Sequence, residues 1–124
     1  MHASLSESLR GYDPAAHVDD CLTVYRSLRE MIGRFVGSLQ GMVVLEIGAG
    51  HDMPHSPIYS ALMAAEGAGV VYSTDRAHPC SSCADPRRKA FWREAYARLP
   101  ELSKCGLSVE PWPRLIPLHN SLGR

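Results

Sequence analysis

Two carboxylates and two glycines near the middle of the chain are residues that could together hold a nucleoside. Glu46, Gly48 and Gly50 lie two positions apart in the sequence, and Asp75 follows 25 residues after Gly50. A glycine has no Cβ, so a ligand can approach its backbone closely. A carboxylate at a strand end can accept hydrogen bonds from ribose hydroxyls. The pattern predicts a nucleoside-binding site, provided that the surrounding elements bring these residues together.

Two apolar segments are placed to bring these four residues together. Met42–Ile47 is a short run rich in β-branched residues that ends directly at Gly48, and Val70–Thr74 is a similar run that ends at Asp75. Both are predicted strands, and the first has the continuous apolar character of a strand covered on both faces of a parallel sheet. Ligands of such sheets bind beyond the carboxyl ends of the strands, which is where the candidate residues lie.

A helix is predicted between the two strands. Ser56 followed by Pro57 is a favourable helix start, with the serine as N-cap and the proline in the first turn, and the helix extends to about Glu66. Strand, glycine turn, helix and strand thus follow one another in order. This is the arrangement of a right-handed βαβ unit, whose strands are parallel.

Two further helices are predicted on either side of this unit. The first spans Ala15–Leu39 and is closed by Gly41, while the second opens at Asp85-Pro86 and ends near Leu99. Apolar residues recur in the first helix at intervals of three or four, which predicts one buried stripe. The stripe consists of Val18, Cys21, Leu22, Tyr25, Leu28, Ile32, Phe35, Val36 and Leu39.

The chain therefore reads as one α/β domain. We expect a loose lead-in at residues 1–14, the α/β domain at residues 15–110 and a proline-rich irregular tail at residues 111–124. A third strand is predicted at Leu107–Val109. From Glu110 onward, closely spaced prolines disfavour regular structure.

Composition narrows the function classes. The 124 residues are 45% apolar and 21% charged, as in ordinary globular domains. The apolar runs fall far short of the roughly 20 residues that a membrane span needs, and the first residues do not resemble a secretory signal. Four cysteines without such a signal favour reduced thiols, so we expect a cytoplasmic protein.

Charge is balanced overall but unevenly distributed. Residues 1–84 carry five basic and nine acidic side chains, a net charge of −4, and residues 85–124 carry eight and four, a net charge of +4. A solvated helix face accounts for the positive charge of residues 85–124. Because the chain has no overall basic excess, nucleic-acid binding is disfavoured. Most of the positive charge comes from Arg87, Arg88, Lys89, Arg93 and Arg98.

The string Leu45-Glu46-Ile47-Gly48-Ala49-Gly50 resembles the first motif of the Rossmann-like (class I) S-adenosylmethionine-dependent methyltransferases. In that family an acidic residue lies two positions before the first glycine, as Glu46 does here. The glycine turn, matched by Gly48 and Gly50, packs under the methionine part of the cofactor. The acidic residue that binds the cofactor ribose is matched by Asp75.

The resemblance covers about residues 15–76 and implies a Rossmann-like parallel sheet with flanking helices, shortened or incomplete. The family's sheet has seven strands, whereas this chain has residues for about three. The resemblance also implies S-adenosylmethionine as cofactor and methyl transfer to an acceptor that the sequence does not identify, with no catalytic residue assigned. A dinucleotide cofactor is disfavoured, because Met53 stands where its fingerprint requires a third glycine and Asp52 lies where a pyrophosphate would approach.

Further residues near the glycine turn have alternative roles. His51 and His55 flank the predicted pocket and could act as a base or orient a substrate, or simply be exposed loop residues. Tyr59 and Trp112 are interpreted as packing groups rather than as platforms for a substrate.

A second cluster suggests metal chemistry. His78, Cys80 and Cys83 have the spacing of zinc ligands, with Cys105 as a possible fourth. The cysteine pair could also be a redox couple, or the thiols could be incidental. The alternatives to a methyltransferase are therefore a non-catalytic binding or interaction module and a small zinc-binding module. Because a three-stranded sheet leaves an open edge, we also expect self-association or a partner chain that covers it.

Overall fold

The computed structural model describes residues 9–77, 81–104 and 115–119. Its three strands form one parallel sheet in the order β1-β2-β3, so the described chain is a small α/β fold. In chain order the elements are α1 (Pro14–Val36), β1 (Val43–Ile47), α2 (Ile58–Ala65), β2 (Val70–Asp75), α3 (Pro86–Arg98), α4 (Glu101–Lys104) and β3 (Leu115–His119).

Strand β2 and helix α3 lie where the sequence predicts them. The β-branched run ends at Asp75 as expected. Strands β1 and β2 pair directly in parallel and are connected by helix α2, which confirms the βαβ unit. Helix α3 begins at Pro86, and the Asp85 side chain caps it by accepting a hydrogen bond from the Arg87 backbone N–H at 2.9 Å.

Helix α1 is shifted from its predicted bounds. It begins one residue early, because Asp13 caps it by accepting a hydrogen bond from the Ala16 N–H at 3.1 Å. It ends at Val36 rather than near residue 39, because Gly37 takes a φ of +79° and donates to the Gly33 carbonyl at 3.1 Å. Asp13-Pro14 at this helix start is the same Asp-Pro pattern as Asp85-Pro86 at the start of α3.

The predicted start of α2 is wrong. Ser56 is not its N-cap, since the helix begins at Ile58 and Pro57 occupies the cap position without a side-chain hydrogen bond. The Ser56 hydroxyl instead lies 3.0 Å from His51 Nδ1 within the loop. A tertiary partner has therefore replaced the local capping interaction.

The hydrophobic core lies on one face of the sheet. Val44 and Val71 are neighbours in the β1–β2 register, and both contact the buried cluster that the helices supply. Helix α2 packs on β2, and α1 and α3 pack against each other. Phe91 and Trp92 on α3 are the largest side chains that are almost fully buried there.

The opposite face of β1 is exposed, so the prediction of a strand covered on both sides is wrong. Val43, Leu45 and Ile47 are 73%, 50% and 70% exposed. Within the described residues the core cluster lies on the other face, and an apolar run alone does not reveal on which faces helices pack. The predicted stripe of α1 is interrupted, because Phe35 and Val36 in its last turn are 82% and 51% exposed, whereas Leu39, beyond the end of the helix, is buried as predicted.

Strand β3 corrects the prediction of an irregular tail. Residues 115–119 pair in parallel with β2, and Pro117 stands opposite Ser73 in the register. Within the described chain β3 is at the edge of the sheet, where a missing backbone N–H is tolerated. The predicted strand at residues 107–109, Glu110 and Trp112 lie outside the described residues, as do residues 1–8 of the lead-in.

Candidate functional site

The turn after β1 combines a fixed backbone with open space. Gly48 and Gly50 have φ values of +75° and +73°, which L side chains rarely adopt. Among the described residues, a Cβ at Gly48 would meet no atom within 4 Å, and one at Gly50 would lie 3.6 Å from Met53 Cγ. The Ala49 N–H donates to the Thr74 carbonyl at 2.8 Å and so ties the turn to β2.

Asp75 lies at the end of β2 and binds this turn directly. Its Oδ2 accepts hydrogen bonds from the backbone N–H groups of His51 at 3.0 Å and Ala77 at 3.2 Å. Partial burial raises the pKa of Asp75, but backbone N–H groups of His51, Ala77, Gly50 and Arg76 outweigh it and hold the pKa below its ordinary value. The carboxylate is therefore ionised at neutral pH and anchors the glycine turn.

Glu46 faces the helix-covered side of the sheet. Its carboxylate accepts a hydrogen bond from the Ser60 hydroxyl of α2, and Ser73 is its neighbour in the register. Burial raises the pKa of Glu46, hydrogen bonds from the two serines lower it, and the negative charge of Asp75 raises it, with a net rise. The structure thus brings Glu46, Gly48, Gly50 and Asp75 together at one end of β1 and β2.

Helix α3 holds the rest of the loop between β1 and α2. The Arg88 guanidinium is buried and donates to the Ser56 carbonyl at 2.6 Å, and Trp92 Nε1 donates to the Pro54 carbonyl at 3.2 Å. His51 is also buried, so the interpretation of this histidine as an exposed loop residue is wrong. Its position in the loop is fixed rather than free.

Several basic side chains of helix α3 make contacts within the chain. Arg87 pairs with Asp85 at its own helix start, Arg98 pairs with Asp19 on α1, and Arg88 is buried. Three of the five basic side chains singled out by the sequence therefore have structural roles.

One group of potential ligands was missed by sequence reasoning. His17 and Cys21 on α1 and His55 in the loop place their ligand atoms within 4.8 Å of one another. The spacing of His17 and Cys21, four residues apart on a predicted helix, was visible in the sequence. The approach of His55 was not, because it depends on the path of the loop.

The metal candidates taken from the sequence are only partly described. His78, Cys80 and Cys105 lie outside the described residues, and Cys83 is exposed in the turn that precedes α3. Tyr59 packs against the core as expected, and its side chain lies beside Cys21.

Comparisons with protein-family models, curated proteins and solved structures find no match to this chain. Within the described residues, no helix combines the length and the apolar character that crossing a membrane would require.

Proposed function

We propose that the chain binds S-adenosylmethionine at the glycine turn, in a Rossmann-like methyltransferase arrangement. The observation that carries the proposal is the juxtaposition of a positive-φ glycine turn after β1 with a carboxylate at the end of the adjacent parallel strand β2. Open space at Gly48 allows a ligand to lie against the backbone. Glu46 and Asp75 supply the negative charge that suits a cationic ligand.

The electrostatics disfavour a phosphate-bearing cofactor at the same turn. A pyrophosphate binds to unpaired backbone N–H groups at such a turn. Here the N–H group of His51 already donates to the Asp75 carboxylate. An anionic ligand would have to displace that carboxylate and would meet its negative charge, whereas a cationic, phosphate-free donor would not.

The residues have distinct roles in this proposal. Bound S-adenosylmethionine supplies a methyl group that its sulfonium already activates. The chain's contribution is to position the donor and exclude water, with Gly48 and Gly50 supplying the backbone surface and Asp75 accepting ribose hydroxyl bonds. We assign no catalytic residue and no acceptor.

Calorimetric titration of the full chain tests the proposal. We expect saturable, one-to-one binding of S-adenosylmethionine and of its demethylated product, with no comparable binding of NAD. The demethylated product tests the nucleoside site without the positive charge. Absence of binding by both adenosyl ligands would refute the donor site.

The exposed face of β1 favours a second function, that of an interaction module. We propose that it binds a second copy of the chain, because Val43, Leu45 and Ile47 are exposed on one face of β1, and among the described strands β1 lies at an edge of the sheet. The exposed side chains lie on the face of β1 opposite to Glu46, but Ile47 directly precedes Gly48, so S-adenosylmethionine binding is measured on the association variant as well.

Replacing both side chains tests the association. Val43→Lys with Ile47→Lys is expected to weaken self-association at least about tenfold, because burying one such side chain contributes roughly 1.5–3 kcal/mol. Sedimentation velocity over a concentration series measures it. Val24→Lys is the matched control, since Val24 is also exposed, at 54%, but lies on α1. A wild-type chain that stays monomeric, or a control that weakens association equally, would contradict the proposal.

A further inference from the structure

We propose that His17, Cys21 and His55 form a binding site for one transition-metal ion, with zinc as the best-suited metal. Their ligand atoms, two imidazole nitrogens and one thiol sulfur, all lie within 4.8 Å of one another. The site is separate from the donor site, since none of its three side chains belongs to the set at Glu46, Gly48, Gly50 and Asp75.

The two imidazoles are already close to the separation that a shared ion requires. His17 Nε2 lies 3.1 Å from His55 Nδ1. A tetrahedral zinc ion with Zn–N bonds of about 2.0–2.1 Å separates two nitrogen ligands by about 3.3–3.4 Å. A small outward movement of the two rings would reach this separation, and in this structure the two nitrogens are hydrogen-bonded to each other.

Two different elements fix the ligands. His17 and Cys21 are four residues apart on α1, so they lie one turn apart on the same face of the helix. His55 is held by its neighbours in the loop, because the Pro54 carbonyl accepts from Trp92 and the Ser56 carbonyl accepts from Arg88. The site is thus preorganised by tertiary contacts that do not depend on a metal.

Hydrogen bonds around the ligands resemble the outer shell of a metal site. The Tyr12 hydroxyl lies 2.8 Å from His17 Nδ1, which can fix the ring so that Nε2 presents its lone pair. The Tyr59 side chain lies beside Cys21. The Phe91 ring, centred 4.7 Å from that of His17, closes the cluster on the core side.

The types of the three ligand atoms determine which metal suits the site. Two imidazoles and one thiolate suit zinc or cobalt, whereas magnesium and calcium prefer oxygen ligands. Three protein ligands would leave the fourth position of a tetrahedral ion for water or another small ligand.

Cobalt titration of the full chain, first stripped of metal with a chelator, tests the site. We expect one Co²⁺ ion per chain, with the sulfur-to-cobalt charge-transfer absorption of a thiolate ligand and the visible bands of tetrahedral cobalt. Added Zn²⁺ should displace the cobalt and remove both signals. A wild-type chain that develops no charge-transfer absorption would overturn the proposal.

Variants identify the ligands. Cys21→Ser should remove the charge-transfer absorption, and His55→Gln should weaken cobalt binding more than about 100-fold, since losing even an outer-shell partner costs 10–100-fold. The matched control is Cys80→Ser with Cys83→Ser, which should bind cobalt like the wild type. Cobalt signals that persist in Cys21→Ser, or that disappear in this control, would move the site elsewhere.

The ligand variants need a check on folding, because Cys21 is buried. Far-ultraviolet circular dichroism monitors each variant, and His55→Gln alters a half-buried loop residue whose loss is better tolerated. Tyr12→Phe supplies a test that leaves all three ligands intact, and we expect about tenfold weaker binding from it. Unchanged affinity in a folded His55→Gln variant would refute the assignment.

Discussion

Gly50→Val is expected to abolish S-adenosylmethionine binding while the chain remains folded. Gly50 has a φ of +73°, and a β-branched residue is strained in that region. Valine would therefore force the turn out of its present conformation, and its side chain would also occupy the space in which a ligand meets the backbone. Calorimetric titration, with far-ultraviolet circular dichroism of the same sample, measures both effects.

Gly37→Val is the matched control for this prediction. Gly37 has a similar φ of +79° and, among the described residues, no atom within 4 Å of an added Cβ, but it closes helix α1. Both substitutions should destabilise the fold by at least about 1–2 kcal/mol through backbone strain. Only Gly50→Val should lose the ligand. Wild-type affinity in Gly50→Val would exclude the turn as the donor site, and equal loss in both variants would indicate a global effect.

The parts of the fold that the sequence predicted well are those set by local interactions. Asp85-Pro86 places a cap and a first-turn proline at adjacent positions, and α3 begins there. Val70–Asp75 forms β2 because its β-branched residues suit a strand next to the core. The four candidate residues at the strand ends come together because parallel β1 and β2 end at the same edge.

The parts that it did not predict depend on tertiary partners. Ser56 has the residue type of an N-cap, but it contacts His51 and Arg88 instead, so α2 starts later. The apolar character of β1 does not show that its Ile47 face is exposed, since sequence does not specify on which side the helices pack. The proximity of His17 to His55 likewise follows from the packing of α1 against the loop.

The loop between β1 and α2 connects the two proposed sites. Its first residues are anchored to β2 by Asp75, and its last residues are anchored to α3 by Arg88 and Trp92. Since each end has its own anchor, a substitution at one end should leave the other site in place. The donor proposal and the metal proposal can therefore fail independently, and Gly50→Val should retain cobalt binding.

Asp75→Ala is expected to weaken S-adenosylmethionine binding roughly 10- to 150-fold. Hydrogen bonds to a charged acceptor contribute about 1.5–3 kcal/mol, and each 1.4 kcal/mol corresponds to a factor of ten. The carboxylate also accepts bonds from the backbone N–H groups of His51 and Ala77, so its loss should loosen the turn as well. Calorimetry measures the affinity, and equal affinity in Asp75→Ala would show that the ribose does not bind there.

Asp75→Asn removes the charge of the side chain but keeps an acceptor, because an amide oxygen can still accept a backbone hydrogen bond. Backbone donors hold the pKa of Asp75 below its ordinary value despite partial burial, so its ionised form stabilises the fold above the unfolded pKa of about 3.9. This contribution is lost as pH falls through the lower folded pKa. Melting temperatures of wild type and Asp75→Asn should therefore converge in acid. If they differ equally at every pH, the ionised carboxylate does not anchor the turn, and any loss of affinity in Asp75→Asn is then due to the ribose contact alone.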